Sequence, residues 1–239
     1  CYKKHSMNKK NLIVLNSKNC FLNIEQISTL YSNFKKKILK LKNNKFLVAV
    51  SGGPDSLALA AMCKAFHTHN KKKVFYYVHI NHGIRKNSLA ESKRVKKILK
   101  QQGISLKIIK NEKKIIKNVQ HNARNVRYAL LGNECKKKKT RYILTAHHKD
   151  DQIETFLIRL SRGSGVQGLS AMHTISRLNN NINIFRPFLF EDKKDLIYTS
   201  KKVFGTYIKD PSNSNKKFLR SNVRKILPIF QKYGINKDQ

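Results

Sequence analysis

Acid is what this chain most lacks. Thirteen Asp and Glu stand against 51 Lys and Arg in 239 residues, a formal charge of +38 and a pI near 10.3. Solubility does not ask for so much charge, so the natural inference is a polyanionic partner, nucleic acid foremost. Composition offers a competing explanation: Lys, Asn and Ile are abundant throughout, as drift in an AT-rich genome would make them. Cysteine is scarce as well. Cys1, Cys20, Cys63 and Cys135 form no C-x-x-C pair, which argues for a reducing compartment and against a zinc or iron–sulfur site. No run of 18 apolar residues occurs, so the sequence predicts no membrane span and no membrane partner. Position 1 is not Met, no acid precedes Glu25, and no Arg precedes Arg85. A fragment, an unusual start and a degenerate targeting segment are all compatible with that beginning. The expected location is therefore cytoplasmic or, alternatively, a mitochondrial or plastid matrix.

What is present supports one α/β domain with appendages: 40% hydrophobic residues, including 12 Phe and 9 Tyr, suffice for a core at this length. The most informative segment is Phe46-Leu47-Val48-Ala49-Val50-Ser51-Gly52-Gly53-Pro54-Asp55-Ser56. A buried strand stops, two glycines turn the backbone, and a helix begins near Pro54. That arrangement aims amide N–H groups and the positive end of a helix dipole at one point, an anion cradle. Chance produces S-G-G-x-D-S on the order of once per million start positions. A Walker loop would place Lys-Ser or Lys-Thr at the helix start, where this chain has Asp55-Ser56, so an ordinary kinase or GTPase is disfavoured.

Periodicity predicts an amphipathic helix over 26–42 within an N-terminal extension (1–42), then a catalytic domain (43–205), then a turn and basic helical tail (206–239). Strands are expected at Val74–Ile80, Leu106–Ile109, Tyr142–Ala146 and Ile182–Phe188. Helices are expected after Ser51, at Asn87–Gly103 with Ser88 and Glu91 at capping-box spacing, at Asn118–Cys135, at Asp150–Arg162 and at Phe218–Leu227. Alternating apolar strands and helices imply a parallel sheet covered on both faces, with ligands at the carboxyl ends of its strands. The runs Lys71–Lys73 and Lys136–Lys139 read most simply as solvated loops.

Further stretches sharpen the glycine loop: His79-Ile80-Asn81-His82-Gly83-Ile84-Arg85, Ala123-Arg124-Asn125-Val126-Arg127-Tyr128, and Thr145-Ala146-His147-His148-Lys149-Asp150-Asp151-Gln152-Ile153-Glu154-Thr155. After these come Arg159, Arg162-Gly163-Ser164-Gly165, Arg186-Pro187-Phe188, Asp210–Asn213, and Arg220, Asn222 and Arg224. The loop resembles that of the PP-loop N-type ATP pyrophosphatases. In this order and spacing the whole set resembles the tRNA(Ile)-lysidine synthase family, over roughly residues 46–228.

That resemblance implies a Rossmann-like PP-loop fold with ATP and Mg2+. It implies a ligase that adenylates O2 of cytidine 34 in the CAU anticodon of tRNA(Ile) and lets the amine of free lysine displace AMP, giving lysidine, which pairs with A rather than G. It assigns Ser51, Gly52, Gly53, Pro54, Asp55 and Ser56 to the pyrophosphate part of ATP, with Asp55 near magnesium. His79, Asn81 and His147 fall against the adenosine, Arg124 at the α-phosphate, and Asp151 and Glu154 at the lysine. Asp55, Arg124 and Asp151 are thus the expected catalytic residues. Chemistry asks for the same types: charge building on a phosphorus needs an Arg and a metal, and a cationic substrate needs a carboxylate pair. Plainer roles compete, with Asp150 as a helix cap, Arg127 as an ion-pair partner and His148 as hydrogen-bonded scaffold. The family carries Glu where this chain has Gln120, and its larger members carry C-terminal domains beyond this length. A homodimer is compatible with the sequence. The alternatives are a PP-loop tRNA thiolase, disfavoured by the absence of paired cysteines, GMP- or asparagine-synthetase-like amidotransferases, and a non-catalytic RNA-binding relic.

Overall fold

The computed structural model describes residues 24–85, 87–112, 119–165, 168–170, 172–209 and 219–232, apart from the side chains of 120 and 228–232. The expected Asp210–Asn213 turn and the start of the last helix at Phe218 lie outside them. The strands are β1 (Lys45–Ala49), β2 (Val74–Asn81), β3 (Leu106–Lys110), β4 (Tyr142–Leu144), β5 (Ile175–Asn179) and β6 (Ile182–Phe185). They form one sheet in the order β3-β2-β1-β4-β6-β5. Four pairings are parallel, as the apolar runs predict, and β5 joins β6 antiparallel at the edge.

Alternation along β1 divides the interior. Phe46, Val48 and Val50 face one apolar cluster, and Leu47 faces another with Val78, Leu131, Cys135, Ile143 and Ile182. The larger cluster lies under α1 (Glu25–Leu39), α2 (Pro54–His69), α3 (Ser88–Lys100) and α6 (Lys193–Phe204), and the smaller under α4 (Val119–Lys137). Ten of the sixteen residues of α2 are buried, from Ser56 to Phe66, so the helix behind the glycine bend is gripped almost all round. α1 buries Ile27, Leu30, Phe34 and Ile38 at helical spacing. It is tied down where Lys37 donates to Glu191 and to the Pro187 carbonyl, each at 2.7 Å. α5 (Lys149–Leu160) and α7 (Leu219–Lys232) pack on each other.

Two local expectations are corrected. The Ser88/Glu91 capping box does not form: Asn87 is the N-cap residue with no side-chain cap bond, and Glu91 instead accepts from Arg85 at 2.8 Å. The strand expected over Ile182–Phe188 ends at Phe185, because the turn that follows supplies the backbone partners of Leu189 and Glu191. Sequence periodicity also missed α6 and β5. The buried stripe of α6 is Leu196, Thr199, Ser200, Val203 and Phe204, and its two hydroxyl residues break the apolar signal. β5 is a polar edge strand, held where the Arg186 guanidinium donates to the His173 carbonyl (2.9 Å) and the Ser176 hydroxyl (2.8 Å). Among the described residues no helix is long and apolar enough to cross a membrane.

Candidate active site

β1 and β4 are neighbours in the sheet, and β1 is where the strand order reverses, so the loops after these two strands open a crevice at their carboxyl ends. Ser51–Ser56 leaves β1 and Thr145–His148 leaves β4. Gly52 takes φ +92°, which L side chains rarely adopt, and a Cβ there would stand 2.4 Å from Cγ2 of Val95 on α3. Its carbonyl accepts the Ile208 N–H at 2.9 Å, tying the bend to the segment after α6. The Ser56 hydroxyl gathers the bend from inside, accepting the N–H groups of Ser51 (3.2 Å) and Gly52 (3.1 Å) and donating to the Gly53 carbonyl (3.0 Å). The first-turn amides of α2 have no intrahelical acceptor and face the crevice end of the helix. Gly52→Ala adds both left-handed strain and a clash. We expect it to cost about 3 kcal/mol, seen as a lowered thermal midpoint together with lost nucleotide binding by calorimetry. An unchanged midpoint would contradict the tight approach to Val95.

Asp55 stands in the first turn of α2. Burial raises its carboxyl above the ordinary range, while His148 and Lys193 pull the other way. Its Oδ1 is buried with no hydrogen-bond partner among the described residues. His148, the N-cap residue of α5, sets Nε2 3.7 Å from Asp55 Oδ2 and 3.5 Å from Asp151 Oδ2, with its side chain 2% exposed. The helix cap weighed for Asp150 is made by Asp151, whose Oδ2 accepts the His148 N–H at 3.1 Å. Burial alone would raise the Asp151 carboxyl, yet His148, Arg220 and His147 together hold it below the ordinary range.

Asp151 and Glu154 lie on one face of α5, as their spacing predicts, and arginines of α7 meet them. Arg220 donates to Glu154 Oε2 at 2.6 Å and to Asp151 Oδ1 at 3.0 Å, and Arg224 donates to both Glu154 oxygens. Glu154 itself is 1% exposed. Sequence reasoning gave Arg220 and Arg224 no role here, although R-x-x-x-R facing D-x-x-E at matching helical spacings carried the signal.

The remaining expected residues divide. His147 lies beside the Thr145 hydroxyl (2.9 Å), and burial drives its imidazole down to about 3. His79 donates from Nδ1 to the Val50 carbonyl (2.8 Å) and meets the Ser92 hydroxyl through Nε2 (3.0 Å), so both ring nitrogens brace β1 against α3. Asn81 accepts the Gly83 N–H at 2.9 Å and builds the turn after β2. Arg124 is exposed on α4, its guanidinium 5.0 Å from the Tyr128 ring centroid. Its charge is near enough to depress His147 and Arg186. His82, which sequence reasoning did not select, has both ring nitrogens buried without a hydrogen-bond partner among the described residues, and burial pushes it down to about 4.

His82 and His147 stay neutral in the fold well below pH 6.5, where the same side chains in the unfolded chain take up a proton. Each such proton favours unfolding, so stability is level above about pH 6.5 and falls as pH drops toward 4. Asp55, raised by burial, opposes this only at the acid end. We expect the thermal midpoint at pH 5 to lie several degrees below that at pH 7, with the gap narrowed by His82→Gln. A midpoint indifferent to pH over that range would contradict the buried neutral imidazoles.

For a metal, Asp55 offers a hard oxygen donor with a buried, unpartnered Oδ1, which fits a magnesium-like cation. Among the described residues no group of three His, Cys, Asp or Glu could hold one unaided. Cys63 and Cys135 are buried in separate apolar clusters, and burial raises both thiols.

The PP-loop domain family matches residues 25–230. The tRNA(Ile)-lysidine synthase of Wolbachia pipientis wMel is 43% identical over 187 residues, covering 77% of this chain and 43% of that protein. That of Orientia tsutsugamushi (strain Boryong) is 39% identical over 189 residues, covering 78% of this chain and 42% of that protein. The chain thus spans a little over two fifths of the length of these curated relatives. The solved U34-tRNA thiolase NcsA of Methanococcus maripaludis, with its [4Fe-4S] cluster, superposes with a TM-score of 0.75 at 20% identity, covering 89% of this chain and 75% of that one, a likeness of fold. With its glycine bend, its mostly parallel sheet and the family model's match over residues 25–230, the chain belongs to the PP-loop domain family.

Proposed function

We propose that this chain is the catalytic part of an ATP-dependent ligase that joins free lysine to C2 of cytidine 34 in a CAU-anticodon tRNA(Ile). The observation that carries the reading is the convergence of Asp55, His148, Asp151 and Glu154 beside the glycine bend, an arrangement suited to a phosphate cradle with a cation-selecting carboxylate pair next to it. The names borne by the relatives support it.

In this reading Gly53, the α2 amides and Ser51 hold the β- and γ-phosphates, with His147 and the ends of β1 and β2 against the nucleoside. The O2 of the cytosine forms a bond to the α-phosphorus, and the bond from that phosphorus to the bridging oxygen breaks, releasing pyrophosphate. Arg124 supplies positive charge where the equatorial oxygens gain negative charge. A magnesium ion held by Asp55 and the phosphates would add charge neutralisation. The lysine amine then attacks C2 and AMP leaves with the oxygen. The amine must first lose a proton, and His148, between two carboxylates, is placed to hold it. Asp151 and Glu154 select the cation, and in the resting site Arg220 and Arg224 stand in for it, so lysine enters by exchange with a guanidinium.

Incubation with Mg-ATP, radiolabelled lysine and unmodified CAU tRNA(Ile) tests this: label should enter that tRNA and depend on ATP. No label under conditions where a relative succeeds would overturn the ligase reading. A thiolase reading finds less support, since the two described cysteines are buried apart on different clusters.

A further inference from the structure

A second concavity lies outside the crevice, between α4 and the β5–β6 hairpin, with a volume of about 480 Å³. Arg124, Asn125, Tyr128, Asn133 and Lys136 line one wall and Asn179 the other, over a floor that includes Leu178 and Ile184. Arg124, Tyr128, Gly132 and Lys136 recur every fourth residue and so lie along one face of α4. Gly132 keeps that face low, for a Cβ there would already touch Ile182 Cδ1 at 3.8 Å. Among the described residues no carboxylate lines the groove. The acid nearest in sequence, Glu134, is buried, turned away and bonded to Lys107 at 2.7 and 2.9 Å. The wall therefore offers cations at both ends, three side-chain amides and one aromatic ring already stacked beneath a guanidinium.

We propose that this groove is an RNA subsite, which carries a short single-stranded stretch of the substrate away from the reacting nucleotide. The inference rests on the ligase reading for the identity of the RNA, and on the groove alone for its course. Twelve residues of helix separate Arg124 from Lys136, roughly 18 Å, enough for about five stacked nucleotides at 3.4 Å each. Arg124 marks the end nearest the crevice, its charge felt at His147. Lys136 takes a phosphate at the far end. Amides of Asn125, Asn133 and Asn179 suit the polar edges of unstacked bases, and the Tyr128–Arg124 stack suits their faces. A protein partner would call for a larger apolar anchor than this amide-lined wall supplies.

The test uses the whole chain and a fluorescent CAU anticodon stem-loop, with affinity read by anisotropy over a range of salt. Lys136→Ala/Asn179→Ala removes two exposed groups of the groove, and Lys72→Ala removes an exposed charge in the turn before β2. We expect the double variant to weaken RNA binding roughly tenfold and to lower the log–log salt slope by about 0.7, one phosphate contact on a single strand. Lys72→Ala should change affinity less than twofold, and nucleotide binding should be intact in both. Equal effects of the two variants would mean diffuse charge rather than a groove and overturn the inference, as would a protein ligand that occupies the groove while RNA binding is untouched. If the double variant still attaches lysine with an unchanged KM for tRNA, the groove is wrong and the ligase reading stands. If it loses RNA affinity while no variant attaches lysine, the groove stands and the ligase reading falls.

Discussion

Asp55→Ala should reduce AMP release by at least a hundredfold while leaving RNA affinity within about twofold of the parent. The size of the effect follows from where charge develops. Removing one preorganised electrostatic partner from an enclosed site commonly costs 10² to 10³ in rate, and Asp55 is both the candidate cation ligand and a neighbour of His148. Stability should move the other way or hardly at all. Its Oδ1 is buried with no hydrogen-bond partner among the described residues, and burial raises its carboxyl, so the fold bears a desolvation cost that alanine relieves. Against that stands the loss of an acid in the first turn of α2, worth up to about 1 kcal/mol. A thermal midpoint within a few degrees of the parent, alongside lost AMP release, is the expected signature of a residue kept for function. Loss of RNA binding in step with activity would make the bend a structural element instead.

Glu154→Gln has the second largest expected effect, on a different observable. Glu154 is almost completely buried and takes both arginines of α7, while Arg220 and Arg224 remain 36% and 29% exposed at their side chains. Breaking a fully buried pair costs about 3–5 kcal/mol. Here the guanidiniums can turn to water, so about 2 kcal/mol is the better figure. That loss falls on the docking of α7 rather than on the sheet, since α7 packs mainly on α5. Tryptic cleavage within α7 should accelerate more than tenfold. The lysine requirement should rise more than the ATP requirement, because the same carboxylate is proposed to select the cation. Glu154→Asp should recover part of both. Cleavage at the parental rate would show that the ion pairs do not hold α7.

The glycine bend, the parallel pairing of the sheet and the shared face of Asp151 and Glu154 were legible because each leaves a local signature in the sequence. A β-strand followed by Gly52-Gly53 and Pro54 can do little but turn into a helix, and D-x-x-E on a helix must share a face. The bonds that His79 and Asn81 make could not be read from the sequence. Bracing Val50 and Ser92 or closing the Gly83 turn depends on which atoms a fold brings within 3 Å. The arginines of α7 were invisible as partners for a related reason. Arg220 is 66 residues from Glu154 and meets it only because α7 returns to lie on α5. α6 was missed because Thr199 and Ser200 occupy buried positions that periodicity expects to be apolar, and β5 because an edge strand exposed on one side has little hydrophobic signal.

The claim on which the account turns is that the bend at Gly52–Ser56 grips a nucleotide triphosphate. A crystal structure of the chain with a non-hydrolysable ATP analogue and magnesium tests it most directly. The expected result is β- and γ-phosphates against the α2 amides with the cation on Asp55. A nucleotide bound elsewhere with that bend empty would contradict it.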